Sequence, residues 1–288
     1  MNYRHGFHAG GFADVFKHVV LTLTIERLKA KSTPIVFLDS HAGAGIYDLG
    51  GAAAQKTGEY RDGILKVLAL RQPAKGLAPY LALVRRHNPG LRPDGAGLEF
   101  YPGSPQIACD LLRPQDRVML VELHPAERAE LKRRYRRDAR VAIHLGDGFH
   151  ALKGLLPPVE RRGIVLVDPP FEKENDFARM VAALKAAYRR WPTGHYLLWY
   201  PIKDGPAARR FLEAVAATGI AKILLARMLV RAAGPLPSLD GAAMLVVNPP
   251  WRLEAELVEV LPALALCLGQ NHGARATIEW LAPEGAAI

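Results

Sequence analysis

Apolar residues follow two rhythms along this chain. Between residues 14 and 28 they recur at helical spacing, with Val15, Val19 and Leu23 on one face, Asp14 near the start and Lys29 and Lys31 past the end. These charges suit the helix dipole, and the spacing predicts an opening helix. Short continuous apolar runs then stand at 35–38, 118–121, 141–145, 164–167, 196–199, 223–230, 244–247 and 276–281. Runs of this length, bounded by polar and turn residues, predict buried strands. Between most of them lie stretches with helical patterning, clearest at 126–137, 176–191, 206–218 and 253–267. Strands alternating with helices predict an α/β fold built on a doubly wound, mostly parallel sheet.

One interval breaks the alternation. A simple connection between the first two strands needs few residues, yet residues 39–117 separate them and include amphipathic pieces at 63–71 and 77–87. The stretch Asn88-Pro89-Gly90-Leu91-Arg92-Pro93-Asp94-Gly95 closes this interval with turn residues, and Phe100-Tyr101-Pro102-Gly103-Ser104-Pro105 leads back to the sheet. The expected organisation is a main domain of residues 1–47 and 98–288 with an inserted helical subdomain at 48–97. No internal repeat or low-complexity tract interrupts it.

Composition narrows the class of partner more than the fold. A chain of 288 residues, 50% hydrophobic, can bury one large core. Its formal charge of +10 favours a polyanion such as nucleic acid. Lys132, Arg133, Arg134, Arg136 and Arg137 form the densest basic run, which reads either as a solvated helix face or as a phosphate track. Cys109 and Cys267 are far apart in apolar settings, which supports neither a disulfide framework nor a cysteine metal site and fits a reducing cytoplasm. The amino terminus lacks a leader pattern and nowhere do eighteen apolar residues run together, so membrane association is not expected. A monomer is expected, since no self-association stripe stands out.

Candidate chemistry concentrates at strand ends. Asp168-Pro169-Pro170-Phe171 follows the run 163–167, which places one carboxylate at the carboxyl end of a buried parallel strand, where open α/β sheets bind ligands. Two prolines donate no backbone hydrogen bonds and hold the chain extended. The Asp168 carboxylate and the Pro169 carbonyl are left as a pair of acceptors matched to an amino group, and Phe171 offers a flat face to a planar base. Together they point to methylation of an exocyclic base nitrogen. Asp39-Ser40-His41-Ala42-Gly43-Ala44-Gly45 ends the first strand, and its glycines let backbone approach a nucleotide-like cofactor. Glu122, ending the second strand, reads as an acceptor for ribose hydroxyls or as a solvated acid. Asp147, before Gly148, reads as an acceptor for an adenine amine or as a helix N-cap. Asn248-Pro249-Pro250-Trp251 repeats the Asp168 pattern behind another strand, but late in the series, away from the expected crevice. His5, His8, His18 and His41 lack the accompanying ligands that a metal site needs, and no metal is expected.

Acidic or glycine-rich ends on strands one to three, followed by Asp-Pro-Pro-aromatic on strand four, resemble the Rossmann-like class I S-adenosylmethionine-dependent methyltransferases that act on nucleobase amines. Tyr3-Arg4-His5, Phe7-His8-Ala9-Gly10, Ala13-Asp14-Val15, Lys17-His18, Thr57-Gly58-Glu59-Tyr60, Tyr101-Pro102-Gly103-Ser104-Pro105 and Asn248-Pro249-Pro250-Trp251 sharpen the match. Across nearly its whole length the chain resembles the J-type 23S ribosomal RNA adenine-N6-methyltransferase family. The resemblance implies that His18, His41, Ser104, Glu122, Asp147, Gly148 and Asp168, with the loop glycines Gly43 and Gly45, line an S-adenosylmethionine pocket. It implies that Asp168 is the catalytic acceptor, assisted by Pro169 and Phe171, and that Tyr3 contacts RNA while Lys17 lies near the site mouth. Phe171 replaces the tyrosine frequent in the family; stacking needs the ring and not the hydroxyl. The target adenine in 23S ribosomal RNA would be unpaired or flipped out. A DNA adenine-N6 methyltransferase, or a noncatalytic nucleic-acid-binding protein on this fold, are the alternatives.

Overall fold

The computed structural model describes residues 5–203, 205–232 and 238–284, and in it the opening apolar stretch is helix α1 (Phe12–Lys29). Val15, Phe16, Val19, Val20, Leu21 and Ile25 are buried, and so are the polar residues Asp14, Lys17, His18, Thr22 and Thr24. A helix enclosed on nearly every side belongs to the interior. Its polar side chains must find partners there, and this requirement makes α1 part of the functional site.

Strand β1 (Val36–Asp39) follows, buried throughout. The interval that breaks the alternation contains β2 (Ile46–Asp48), the short helices α2 (Ala52–Thr57), α3 (Glu59–Asp62), α4 (Ile64–Leu68) and α5 (Ala78–Arg86), and β3 (Phe100–Pro102). Helices were expected here. The ribbon was not: β2 and β3 pair antiparallel with Tyr47 opposite Tyr101, and strands of three residues are too short to show a period. Tyr60, Ile64, Val67, Leu77, Tyr80 and Leu81 bury into the same apolar cluster as α1 and one face of the main sheet. Helix α6 (Ser104–Leu111) returns the chain to β4 (Arg117–Glu122). Sequence reading treated its start as a connecting loop, because Tyr101-Pro102-Gly103-Ser104-Pro105 carries turn residues. Pro105 in fact sits in the first turn, where its missing N–H costs nothing.

The alternation then runs as expected through α7 (Pro125–Tyr135), β5 (Val141–Leu145), α8 (Gly148–Leu155), β6 (Gly163–Val167), α9 (Asp176–Arg190), β7 (His195–Ile202), α10 (Gly205–Ala216), β8 (Ile223–Leu229), β9 (Gly241–Val247), α11 (Leu253–Leu268) and β10 (Arg275–Ala282). The strand order is β10-β8-β9-β7-β6-β1-β4-β5. Strands β1, β4, β5, β6 and β7 are mutually parallel, β9 lies antiparallel between β7 and β8, and β10 is antiparallel on β8. This is the expected class I methyltransferase arrangement. The chain steps from β1 outward to β4 and β5, then restarts at β6 on the opposite side of β1, which opens a crevice at the carboxyl ends of β1 and β6. One face of the sheet is covered by α1, α5, α6 and α11 and the other by α8, α9 and α10. Among the described residues no helix is long and apolar enough to cross a membrane.

Asn88 does more than mark a turn. Its buried amide donates to the carbonyls of Val84 and Phe100, both at 2.8 Å, and its Oδ1 accepts from the N–H groups of Glu99 and Phe100, both at 2.8 Å. It thus staples the end of α5 to the start of β3. Replacing Asn88→Ala strands several buried backbone groups and is expected to lower stability by about 2–4 kcal/mol. The shift in a urea unfolding midpoint measures this, with Asn88→Asp, which keeps the accepting half, falling between.

Candidate active site

The crevice collects one residue or loop from each of four strand ends. Asp39 closes β1, Glu122 closes β4, Asp147 precedes α8 after β5, and Asp168 follows β6. Helix α1 crosses beside them with Lys17 and His18. The result is a cavity of about 300 Å³ lined by Lys17, His18, His41, Gly43, Ser104, Glu122, Asp147, Gly148, Asp168 and Pro169, among others. A smaller cavity of about 80 Å³ adjoins it, lined by His8, Phe171, Trp199 and Lys203. His5, Lys17, Asp168, Pro169 and Pro170 face both. The Asp-Pro-Pro segment therefore forms part of the partition between two chambers.

Two expectations, for Lys17 and Gly45, change at this point. Lys17 is not at a site mouth; only 4% of its side chain is exposed, and its ammonium spans Asp168 Oδ2 at 2.6 Å and Asp14 Oδ1 at 2.8 Å. Phe171, expected to offer its face to a base, lines the smaller cavity, its φ of 51° turning the ring toward Phe177 and Trp199. Gly45 does not line the cavity. It packs under Tyr135, and its carbonyl accepts from the Gly103 N–H, so this glycine serves the β2–β3 ribbon. The expected RNA contact Tyr3 lies outside the described residues.

The Lys17 charge is stabilised on both sides. Burial alone would push its pKa down, but the carboxylates of Asp14 and Asp168 outweigh burial and hold it above the ordinary lysine range. Burial likewise opposes the Asp14 charge, and His5 and Lys17 override it, keeping that carboxyl well below its usual range. His5 Nε2 lies 3.0 Å from both Asp14 oxygens, and the Gly10 N–H also donates to Asp14. The outcome is a row of paired side chains, His5, Asp14, Lys17, Asp168. Only Oδ2 of Asp168 is taken, so Oδ1 has no protein partner among the described residues.

Around the larger cavity the polar groups are oriented by the backbone. Glu122 accepts from the Gly43 N–H at 2.8 Å and from the His124 N–H at 2.6 Å. Asp147 caps α8 by accepting from the His150 N–H and also pairs with Arg179, so it is an N-cap and a cavity residue at once. A side chain at Gly148 would run into the Ser40 carbonyl, which is why only glycine lets α8 start this close to the β1 loop. Asp39 accepts from Ser104 Oγ at 2.6 Å and from the His41 N–H; burial, with Asp168 nearby, pushes its pKa up to about 6. His41 is pushed down to about 4 by burial and is neutral near pH 7. Its Nδ1 lies 2.8 Å from Ser40 Oγ, which also lies 3.0 Å from the Leu166 carbonyl oxygen.

The sequence motifs that include His5 and Tyr101 give neither a role at the site, and no sequence feature singles out Trp199 or Arg179. None carries a local signal, because each joins the site through a contact distant in sequence. Asn248, the rival of Asp168, sits at the other end of the sheet. Strand β9 runs antiparallel to β7, so its carboxyl end points away from the crevice. There Asn248 Nδ2 donates to the carbonyls of Pro192 and Gly194, holding the turn before β7, while Trp251 stands 81% exposed.

Comparison with known proteins agrees with this geometry. The family model "Ribosomal RNA large subunit methyltransferase D, RlmJ" matches residues 32–282. The chain is 41% identical to "Ribosomal RNA large subunit methyltransferase J" of Escherichia coli (strain K12) and 40% identical to the protein of the same name from Haemophilus influenzae. Both matches cover 99% of this chain and 100% of the relative. The crystal structure of protein LPL1258 from Legionella pneumophila superposes with a TM-score of 0.86 at 32% identity, covering 95% of this chain and 98% of that one.

Removing the shared cation takes the ammonium partner from the buried Asp14 and the partly buried Asp168. Lys17→Met is expected to destabilise the fold by about 3–5 kcal/mol, read from chemical denaturation. The two buried titrating groups make opposite pH contributions. The unfolded chain binds a proton on His41 below its ordinary value of 6.5 whereas the folded protein does not until about 4, so this residue costs stability as pH falls through that window. Asp39 is protonated first in the folded state, and adds stability as pH falls from about 6 toward 3.8. Between pH 7 and pH 4.5, denaturation midpoints should therefore shift in favour of His41→Gln relative to the parent, and against Asp39→Asn.

Proposed function

This chain belongs to the ribosomal RNA large subunit methyltransferase J family, and on that premise we propose that it transfers a methyl group from S-adenosylmethionine to the N6 amine of an adenine in 23S ribosomal RNA. One observation carries the reading: Asp168 and Pro169 stand in the wall shared by two cavities, so an amine held by them from one side faces whatever occupies the other. The larger cavity suits the cofactor. Glu122 sits where a ribose diol would need acceptors, Gly148 leaves room for a purine, and the buried Nε2 of His18 has no partner among the described residues. The smaller cavity suits a base, with Phe171 and Trp199 as aromatic walls.

S-adenosylmethionine, when bound, supplies an electrophilic methyl group. The protein's task is to make a poor nucleophile attack it. The N6 lone pair is delocalised into the purine ring, and acceptance of its two N–H bonds by Asp168 Oδ1 and the Pro169 carbonyl favours a pyramidal nitrogen with that lone pair available. Lys17 fixes the rotation of Asp168 by holding Oδ2. Positive charge that develops at N6 during transfer meets this preorganised negative group in a partly desolvated site. Alignment across the partition supplies entropy in advance, an effect worth roughly 7–11 kcal/mol in favourable cases. The adenine enters flipped or already unpaired, and the net charge of +10 favours the RNA partner. A cytoplasmic site of action and a monomeric state complete the reading.

Transfer of labelled methyl to unmodified 23S ribosomal RNA, with nucleoside analysis for N6-methyladenosine, tests this. Asp168→Ala should lose at least about a hundredfold in rate. Asp168→Asn, which keeps an accepting oxygen but not the pairing with Lys17, should retain more, and Asn248→Ala should keep its rate once folded. N6-methyladenosine formed undiminished by Asp168→Ala would defeat the reading.

A further inference from the structure

Behind the larger cavity, three side chains from three segments form one row of hydrogen bonds. The Tyr80 hydroxyl, from α5, lies 3.0 Å from the Tyr101 hydroxyl on β3, and this lies 2.8 Å from His18 Nδ1 on α1. Both tyrosines are fully buried and His18 is 1% exposed. The His18 ring lines the cavity, and its Nε2 is the only polar atom of the row left without a partner among the described residues.

The direction of the row follows from counting protons, since each hydroxyl has one. Tyr101 is the only hydrogen-bond partner of Tyr80 among the described residues. Were the Tyr101 proton turned toward Tyr80, the Tyr80 proton would be stranded in the core, at a cost of about 1–3 kcal/mol that no ligand could relieve. Were both Tyr80 and His18 to donate to Tyr101, the Tyr101 proton would be stranded instead. With Tyr80 donating to Tyr101 and Tyr101 donating to His18 Nδ1, both hydroxyl protons are satisfied. Burial, reinforced by the neighbouring Lys17 charge, holds the His18 pKa well below the imidazole range, so the ring is neutral. A neutral ring with a bare Nδ1 carries its proton on Nε2. The sole unsatisfied donor is then at the cavity, where a bound molecule can meet it.

We infer that Tyr80 and Tyr101 are positioning residues that fix His18 as an N–H donor for the carboxylate of the amino-acid portion of S-adenosylmethionine. The inference rests on the cofactor reading above. A carboxylate is the acceptor this end of the cavity favours: α1 packs on α6, whose N-terminus at Gly103 and Ser104 lines the cavity with partial positive charge. The opposite end carries the acids Glu122 and Asp147 and suits the nucleoside.

The tautomer is measurable without any ligand. Long-range nitrogen-15 correlation spectra of histidine-labelled protein should show His18 protonated at Nε2, and Tyr101→Phe should shift it toward the Nδ1-protonated form or a mixture. Calorimetric titration should then show Tyr101→Phe binding S-adenosylmethionine roughly tenfold more weakly, the scale of one hydrogen bond to a charged group. Decarboxylated S-adenosylmethionine, which lacks the acceptor, should bind parent and variant within about twofold of each other. Tyr80→Phe, which leaves Tyr101 free to donate, should have the smaller effect. Equal losses for both ligands, no loss for either, or a His18 protonated at Nδ1 in the unsubstituted protein would each overturn the assignment. Failure of the unsubstituted protein to bind S-adenosylmethionine would instead remove the cofactor reading, and the tautomer measurement would still stand by itself.

Discussion

A buried ammonium between two carboxylates is the interaction on which this site depends. Lys17 is enclosed in the protein, and a lysine in that position is charged only because Asp14 and Asp168 flank it at 2.8 and 2.6 Å. The dependence is mutual. Without Lys17 the Asp168 carboxylate would have no fixed orientation, and the buried Asp14 would lose its ammonium partner, keeping His5 and the Gly10 N–H. With it, Asp168 offers one oxygen in a defined direction, on a wall that two cavities share. Pairing of this kind contributes more to specificity of geometry than to net stability, since desolvation offsets much of the attraction.

The architecture supplies the rest of the constraint. A parallel sheet that restarts at β6 beside β1 sets four strand ends side by side, each able to carry a polar residue into one crevice without interrupting the core. Helix α1 must then lie against the sheet closely enough for Lys17 to reach Asp168, and the segments inserted after β1 pack on its other side. Those segments therefore act on the chemistry indirectly. Their Tyr80 and Tyr101 bury against α1 and orient His18, while the β2–β3 ribbon ties the glycine loop to the start of α6.

Polar groups in this interior are oriented by counting as much as by distance. Each buried hydroxyl has one proton to place, and in a low-dielectric setting a misplaced proton is costly enough to select one arrangement. The tyrosine pair sets His18. A neutral imidazole held in one tautomer gives the cavity a donor without adding charge, beside the Lys17 ammonium and its carboxylate partners.

Much of this was legible in the sequence because it is written locally. Apolar runs of strand length and helical spacing located α1, the eight strands of the main sheet and the helices from α7 onward to within a few residues, since burial of one face imposes a period on the chain. Asp168, Glu122 and Asp147 were found because strand ends are recognisable and the crevice lies at their carboxyl side. What had no local pattern was not legible. Three-residue β2 and β3 carry no period, and Tyr101-Pro102-Gly103-Ser104-Pro105 reads as a turn even though it begins α6. The burial of Lys17, the separation of Phe171 from the cofactor side, the packing role of Gly45 and the partnership of Tyr80, Tyr101 and His18 each depend on contacts between segments far apart in sequence. The direction of β9 likewise decided that Asn248 faces away from the crevice, which repetition of the Asp168 motif could not tell. Sequence by itself determined which residues could carry chemistry, because residue type and spacing set local structure; only the tertiary structure decided which of them meet, because desolvation and proton placement are properties of the packed interior.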